Sequence, residues 1–580
     1  MSNWNLESFD YLYSSLAESA YTNRPNWFPY EQLSPEEQKA LNSGKSLKFD
    51  YSKSAEDKDG QVTEGGSHFN SKDPNNDGIV YLQPDQEGLL EDKDTGYNAY
   101  YLSENETIDQ NTKQTYFVVR GSDGYGNPSL EHPEDLKNTN DWINNDAAFA
   151  LQDAIVPQAK VATKGMKEKI AELESQAAPE AKMSITGHSL GTMVSIQGAA
   201  GLSSQELDRV DQIVLFNGPD ATKSLQKAGY SDEKIQQLGD KTTYYVNPLD
   251  PVSMLNRDKP YEQQLGTVHV IVPTDYTSMM EEGRSSHDFG AYQMGSDGKP
   301  LVASENYHPE LLTAGQDLAK LERDSIEGLK KYVPDTIIDG LVNLSPAQYQ
   351  SVAKDIGDII RQIKDGVDLS DITALPTEIK ETIKAVADSL GISQTELLVF
   401  LGNAAVHWKD IVAIWTNFQD KYEQLIKDTK AKSLKWDRDH IDSFHDKIKK
   451  ATGNDRILLR TELLYMATQL AEEDVTNQVE AAKKHISGVK DEVKTISEVA
   501  ITVSKTLGVH LSDSEIEELT SEIKLSNVWD DGVEEADKSA LDTYKSKLDT
   551  FGSDLVFAAQ NIEAVDAQQA GDIFANLSQK

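Results

Sequence analysis

Ser189 lies in Gly187-His188-Ser189-Leu190-Gly191, a G-x-S-x-G pentapeptide. The short apolar run Met183-Ser184-Ile185-Thr186 precedes it, and the small, apolar segment Thr192–Ala200 follows it. A strand that turns sharply into a helix displays a serine hydroxyl at the turn, and flanking glycines leave room for the tight backbone. A hydroxyl becomes a useful nucleophile once a histidine accepts its proton and a carboxylate orients that histidine. In the hydrolase chain order both partners follow the serine. Thr242–Val246 reads as a strand that ends in Asn247-Pro248-Leu249-Asp250-Pro251, so Asp250 falls at its C-terminal edge. A plain turn-forming aspartate before proline is the other reading of that residue. Of the histidines that follow, His269 lies inside the strand pattern Thr267–Val272 and reads as a sheet residue. His287 comes after that strand in a polar loop, where a proton-accepting histidine belongs, and His308 is the reserve. His188 adjoins the serine but points away from a hydroxyl displayed at the turn, which gives it a supporting role.

Acyl transfer also needs backbone N–H donors aimed at the developing oxyanion. Leu190, the residue after the serine, offers one. Gln114–Val119 reads as a strand ending in Arg120-Gly121-Ser122-Asp123, and Ser122 offers the second. Elsewhere, Asp73-Pro74-Asn75-Asn76-Asp77-Gly78 begins like a calcium loop, but Pro84 stands where such a loop needs its bidentate glutamate. An Asx-rich turn is expected there. The five later histidines, His407, His440, His445, His485 and His510, show no metal-ligand spacing, and no metal or cofactor is called for.

The elements that must carry these groups alternate β and α. Strands are expected at Ile79–Leu82, Tyr97–Leu102, Gln114–Val119, Asp211–Phe216, Thr242–Val246 and Thr267–Val272, the second and third forming a hairpin. Apolar residues at 155, 159, 162, 166, 170 and 173 mark a helix leading into the nucleophile strand, and Phe9, Leu12 and Leu16 mark one at the start. Beyond about residue 312 β-rich runs give way to helical stripes. These are Ile379–Leu390 with Gly391 as its stop, Leu397–Phe418, Ile457–Leu470, Val489–Leu507, Ile516–Ile523 and Leu541–Val565. The expected architecture is an α/β-hydrolase domain over residues 1–312, followed by an elongated all-α domain over 313–580. A chain ended near Asp317 would then keep its hydrolytic activity.

Several of these pieces together resemble the class 3 lipases of the α/β-hydrolase superfamily. They are Val118-Val119-Arg120-Gly121-Ser122, Asn140-Asp141-Trp142-Ile143, the Ser189 pentapeptide, Phe216-Asn217-Gly218-Pro219, Asp250-Pro251-Val252 and Ser286-His287. The resemblance covers about residues 1–310. It implies an acyl-ester hydrolase with Ser189, Asp250 and His287 as triad, Ser122 and Leu190 as oxyanion donors, and lipid as substrate. Family members carry a somewhat apolar lid after the oxyanion loop. Here the Asp123–Asn140 segment is mostly polar, so weak interfacial activation is expected.

Composition bounds the rest. With 56 basic and 97 acidic residues the formal charge is −41, which repels nucleic acid and offers no attraction to anionic lipids. The absence of cysteine rules out disulfides and thiolate chemistry. The first ten residues have neither a basic nor an apolar signal region, and no run of about 18 apolar residues occurs. A lipase-like domain ahead of a helical tail, without a signal peptide, resembles lipase effectors of the type VII secretion pathway, with an LXG-type helical module at the C-terminus. That resemblance implies export paired with small helical helper proteins, an antibacterial or virulence role and an immunity protein. Stripes such as Ile379–Leu390 and Leu555–Ile562 would be kept for the helpers. The alternatives are a cytoplasmic carboxylesterase of soluble esters that oligomerises through its helices, and an interaction protein without chemistry.

Overall fold

The computed structural model describes residues 35–50, 79–85, 88–92, 95, 97–121, 154–273, 276–279, 286–287, 300–342, 346–364, 375–450, 454–552 and 555. Short β-branched and aromatic runs build a nine-stranded mixed sheet: β1 (Leu47–Asp50), β2 (Ile79–Leu82), β3 (Glu91–Asp92), β4 (Tyr97–Ser103), β5 (Gln114–Val119), β6 (Lys182–His188), β7 (Val210–Phe216), β8 (Thr242–Val246) and β9 (Thr267–Val270). Their order is β1-β2-β4-β5-β6-β7-β8-β9, with β3 paired to β4. Strands β1 to β5 pair antiparallel, and β5 to β9 pair parallel. The expected hairpin is there, Ala99 facing Val119 and Ser103 facing Thr115. Strands β1 and β3 had not been expected.

Register sets up the site. Val119 pairs with Gly187, His188 with Phe216, Phe216 with Tyr245 and Val246 with Val270. The C-terminal ends of the parallel strands are therefore level, and the residues just past them lie side by side. In open α/β sheets that edge is where ligands bind.

Helix α1 (Pro157–Gln176) buries Ala159, Ala162, Met166, Ile170 and Leu173, the stripe read from the sequence. Helix α2 (Leu190–Ala200) is buried at every position, so its sequence is small and apolar all round rather than striped. The two pack closely at Gly198, where a Cβ would lie 3.1 Å from that of Ala162.

The core does not end where the strand-forming sequence ends, near residue 312. Leu311, Ala314, Leu318 and Ala319 of helix α4 (Pro309–Lys330; α3 is the short helix Pro251–Met254) belong to the same buried cluster as the sheet. So do Tyr422 and Ile426 of helix α7 (Trp408–Lys450). Described residues up to Ser433 form one compact unit, and those from Leu434 form a second.

Within the first unit a smaller core gathers Ile337, Val352, Ile359, Leu397 and Leu401 around helix α5 (Thr377–Leu390). Ile379, Ile383, Val386 and Leu390 are buried in it, so this stripe is internal packing and is not kept for partner helices. Gly391 ends α5 in the left-handed region at φ 67°, as expected of a C-terminal stop. The stripe expected over Leu397–Phe418 is two helices, α6 (Gln394–Val406) and α7, broken at His407. In the second unit the two stripes expected at 457–470 and 489–507 are one helix, α8 (Asn454–Leu507). Among the described residues no single helix is long and apolar enough to cross a membrane.

Candidate active site

Ser189 occupies the turn between β6 and α2 at φ 57° and ψ −130°. A non-glycine residue held there costs about 1–3 kcal/mol, so the surroundings must impose it. A Cβ on Gly187 would lie 2.6 Å from the carbonyl oxygen of Gly191, and a Cβ on Gly191 would lie 2.5 Å from that of Val119. Both glycines of the pentapeptide are therefore steric requirements. The Ser189 N–H donates to the Phe216 carbonyl at 3.1 Å. Its own carbonyl accepts from Thr192 N–H at 3.0 Å and Thr192 Oγ1 at 2.7 Å.

Asp250 follows β8 through a turn folded on Asn247, whose Oδ1 accepts from Leu249 N–H at 3.0 Å. It caps α3, accepting from Val252 N–H at Oδ1 and from Ser253 N–H at Oδ2, each at 3.1 Å. The Ser253 hydroxyl also donates to Oδ2. Capping the turn does not exclude a second contact, because Oδ2 also meets His287 Nδ1 at 2.8 Å. On the other side of that ring, Nε2 lies 2.7 Å from Ser189 Oγ. All three residues are at most 3% exposed, so the relay is buried. A neutral imidazole that donates from Nδ1 to the carboxylate leaves Nε2 free to accept the serine proton.

The backbone of His287 is fixed independently. Its carbonyl accepts from His188 Nε2 at 2.8 Å and from Asn217 Nδ2 at 2.9 Å. The Ser286 carbonyl accepts from Asn247 Nδ2 at 2.8 Å, and the Ser286 hydroxyl donates to Leu249 O at 3.1 Å. Asn217 Oδ1 in turn accepts from Asn247 N–H at 3.0 Å. Two asparagines at the ends of β7 and β8 thus lace the histidine to the strand edge. Both lie in segments singled out in the sequence, Asn217 in Phe216-Asn217-Gly218-Pro219 and Asn247 in the turn before Asp250, but no role was read there for either.

His269 lies in β9 and stacks on Tyr245, as a sheet residue would. His308 opens α4, pairing through Nδ1 with Glu310 Oε1 at 2.9 Å, and that carboxylate also accepts from Ser433 Oγ at 2.6 Å. Leu190 opens α2, so its N–H is a first-turn donor without an intrahelical acceptor. Gly191 abuts the end of β5, where a Cβ would also meet Arg120 O at 3.0 Å. The chain leaves β5 beside the serine turn. Ser122, the Asp123–Asn140 segment and the Asp73–Asp77 turn lie outside the described residues. Among those described, no cluster of three or more metal-ligating side chains occurs.

Three buried groups behind the acid had no signal in the sequence. Arg257 donates from Nε to Ser253 O and from Nη2 to Gly218 O, both at 2.8 Å, bracing the turn after Asp250. Tyr422 reaches the acid turn from α7. Glu322, on α4, is pushed well above the usual carboxylate range by burial and then by the charge of Asp250. Its Oε2 meets no hydrogen-bond partner among the described residues. No protein-family profile, curated protein or solved structure matches the chain.

Proposed function

We propose that this protein is a serine acyl-ester hydrolase of lipids, a phospholipase A or glycerolipid lipase, working through an α/β-hydrolase fold. The observation that carries this reading is the buried Ser189–His287–Asp250 relay, with 2.7 Å and 2.8 Å links, beyond level parallel strands. In the mechanism it supports, Ser189 Oγ attacks the ester carbonyl while His287 Nε2 takes its proton and Asp250 steadies the imidazolium. Leu190 and Ser122 N–H groups receive the oxyanion. His287 returns the proton to the departing alcohol, and water repeats the cycle on the acyl-enzyme. The lipid assignment rests on the class 3 lipase-like motifs, with Ser122 among them.

Export without a conventional signal peptide, assisted by small helical helpers, belongs to the same proposal, as do an antibacterial or virulence role and an immunity partner. Its support in the helical half is Ile496, Val499, Val503 and Leu507 of α8, which recur at helical spacing and are exposed. The rival reading is a cytoplasmic esterase of soluble esters that uses that surface to oligomerise. The deciding experiment gives purified protein micellar phospholipid, glycerolipid and a short-chain soluble ester, with products identified by mass. Release of fatty acid from lipid, absent in Ser189→Ala, is the expected result. Turnover of the soluble ester alone would favour the rival, and no turnover of any ester would leave an interaction protein.

A further inference from the structure

The hydroxyl of Tyr422 donates to the carbonyl of Leu249 at 2.6 Å and accepts from the backbone N–H of Met279 at 3.0 Å. Leu249 immediately precedes Asp250. Its carbonyl also accepts from the hydroxyl of Ser286, the residue immediately before His287. One carbonyl oxygen therefore gathers the acid turn, the histidine loop and a helix 173 residues further along the chain. Tyr422 is nearly buried and belongs to the core that contains the sheet. It is the last of three aromatic rings, Trp415, Phe418 and Tyr422, stacked at 5.8 Å intervals along α7. The ladder anchors the phenol so that its hydroxyl is delivered at one position.

We propose that Tyr422 is a positioning residue of the triad, a hydroxyl strut from the helical region that fixes the acid turn against the histidine loop. This rests on the hydrolase reading above. The requirement is geometric. Asp250 and His287 sit on separate loops after β8 and β9, and a displacement of about 1 Å between them can cost about a hundredfold in rate. The hydrogen bonds from Asn247 Nδ2 to Ser286 O and from Ser286 Oγ to Leu249 O restrain the two loops against each other, and Tyr422 adds a third from α7. The helical half on this reading completes the catalytic site, acting through the Leu249 carbonyl.

The test is Tyr422→Phe in the full-length chain, which keeps the ring in the ladder and removes only the hydroxyl. Expected is a fall in kcat of about 10- to 100-fold with KM within about twofold. Labelling of Ser189 by a fluorophosphonate should slow by a similar factor, while helix content and melting temperature stay near wild type. Ser286→Ala removes the second donor to the same carbonyl. Combined with Tyr422→Phe it should cost less than the product of the two single losses, because both hydroxyls act on one atom. Unchanged kcat and labelling in folded Tyr422→Phe, or fully additive losses, would overturn the proposal. If the phenylalanine variant does not fold, 3,5-difluorotyrosine at 422 puts the same question to the folded chain, since that hydroxyl loses its proton at lower pH. Its kcat should then decline at a pH where wild type is still level, and coincident profiles overturn the proposal. Ser189→Ala runs alongside: activity surviving there sinks the hydrolase reading itself, whereas activity lost there and kept in Tyr422→Phe sinks only the strut.

Discussion

Single side chains make the sharpest claims. Ser189→Ala and His287→Ala should each lower ester turnover by several orders of magnitude, about 10³-fold or more, since either change cuts the same relay. His269→Ala and His308→Ala should cost far less, because one ring stacks in the sheet and the other pairs with Glu310 at a helix start. A turnover assay on the four folded variants decides this, and inactivity of His308→Ala alone would refute the relay. Glu322 makes a different kind of claim. Its folded carboxyl is held above the ordinary value of 4.5 by burial and by Asp250. The folded state therefore binds its proton more tightly than the unfolded chain does. That stabilisation is full below 4.5 and drains away as pH rises toward the folded value, by up to about 1.4 kcal/mol per pH unit. Glu322→Gln removes the effect, so denaturant midpoints of variant and wild type should separate as pH rises above about 5, in favour of the variant. Parallel curves would mean that the carboxyl is relieved by some other charge.

At the scale of elements, backbone rather than chemistry decides which substitutions are tolerated. Gly191→Ala would drive a Cβ to 2.5 Å from the Val119 carbonyl, an atom of the sheet that cannot step aside. A loss of about 3 kcal/mol or more, with activity gone, is expected. Gly391→Ala meets nothing within 4 Å and strains only φ, so about 1 kcal/mol is expected with activity kept. Denaturant midpoints of the two variants check the ranking, and equal losses would contradict it. This contrast explains what was legible in the sequence. Strand β5, the β6 turn, β8 with Asp250 and the α5 stripe announce themselves through β-branched and aromatic runs, paired glycines and 3.6-residue spacing, all local signals. The break at His407 does not, because the apolar period runs on across it. Nor does the continuity of α8 through 471–488, a mostly polar stretch between two clear stripes. The roles of Asn217, Asn247, Glu322 and Tyr422 were invisible for a stronger reason. Their partners are fixed by strand order and helix packing, and no window of sequence holds both ends of a contact 173 residues long.

For the whole molecule the question is where the chain can be cut without losing the proposed activity. The sequence alone placed the boundary near 312, where strand-forming runs stop, and a chain ended near Asp317 then looks sufficient. Packing argues otherwise. A cut at Asp317 removes Leu318 and Ala319, which are buried in the same core as the sheet, together with Glu322, Tyr422 and Ile426. Four apolar side chains lost from a common core forfeit about 1.5–3 kcal/mol each for the larger ones, a sum comparable to the whole stability of many domains. The Leu249 carbonyl would also lose its tyrosine partner at the acid turn. A chain ended after Ser433 keeps all of these, and it also keeps the Ser433–Glu310–His308 bonds that hold the start of α4. The 433-residue chain should therefore fold and hydrolyse ester at a rate near that of the full protein. The 317-residue chain should be poorly folded or at least about tenfold slower, by the same displacement argument as for Tyr422. Melting curves and turnover on one soluble ester compare the two directly. Full activity in the shorter chain would show that the helices after Asp317 only cover the hydrolase core and do not build it.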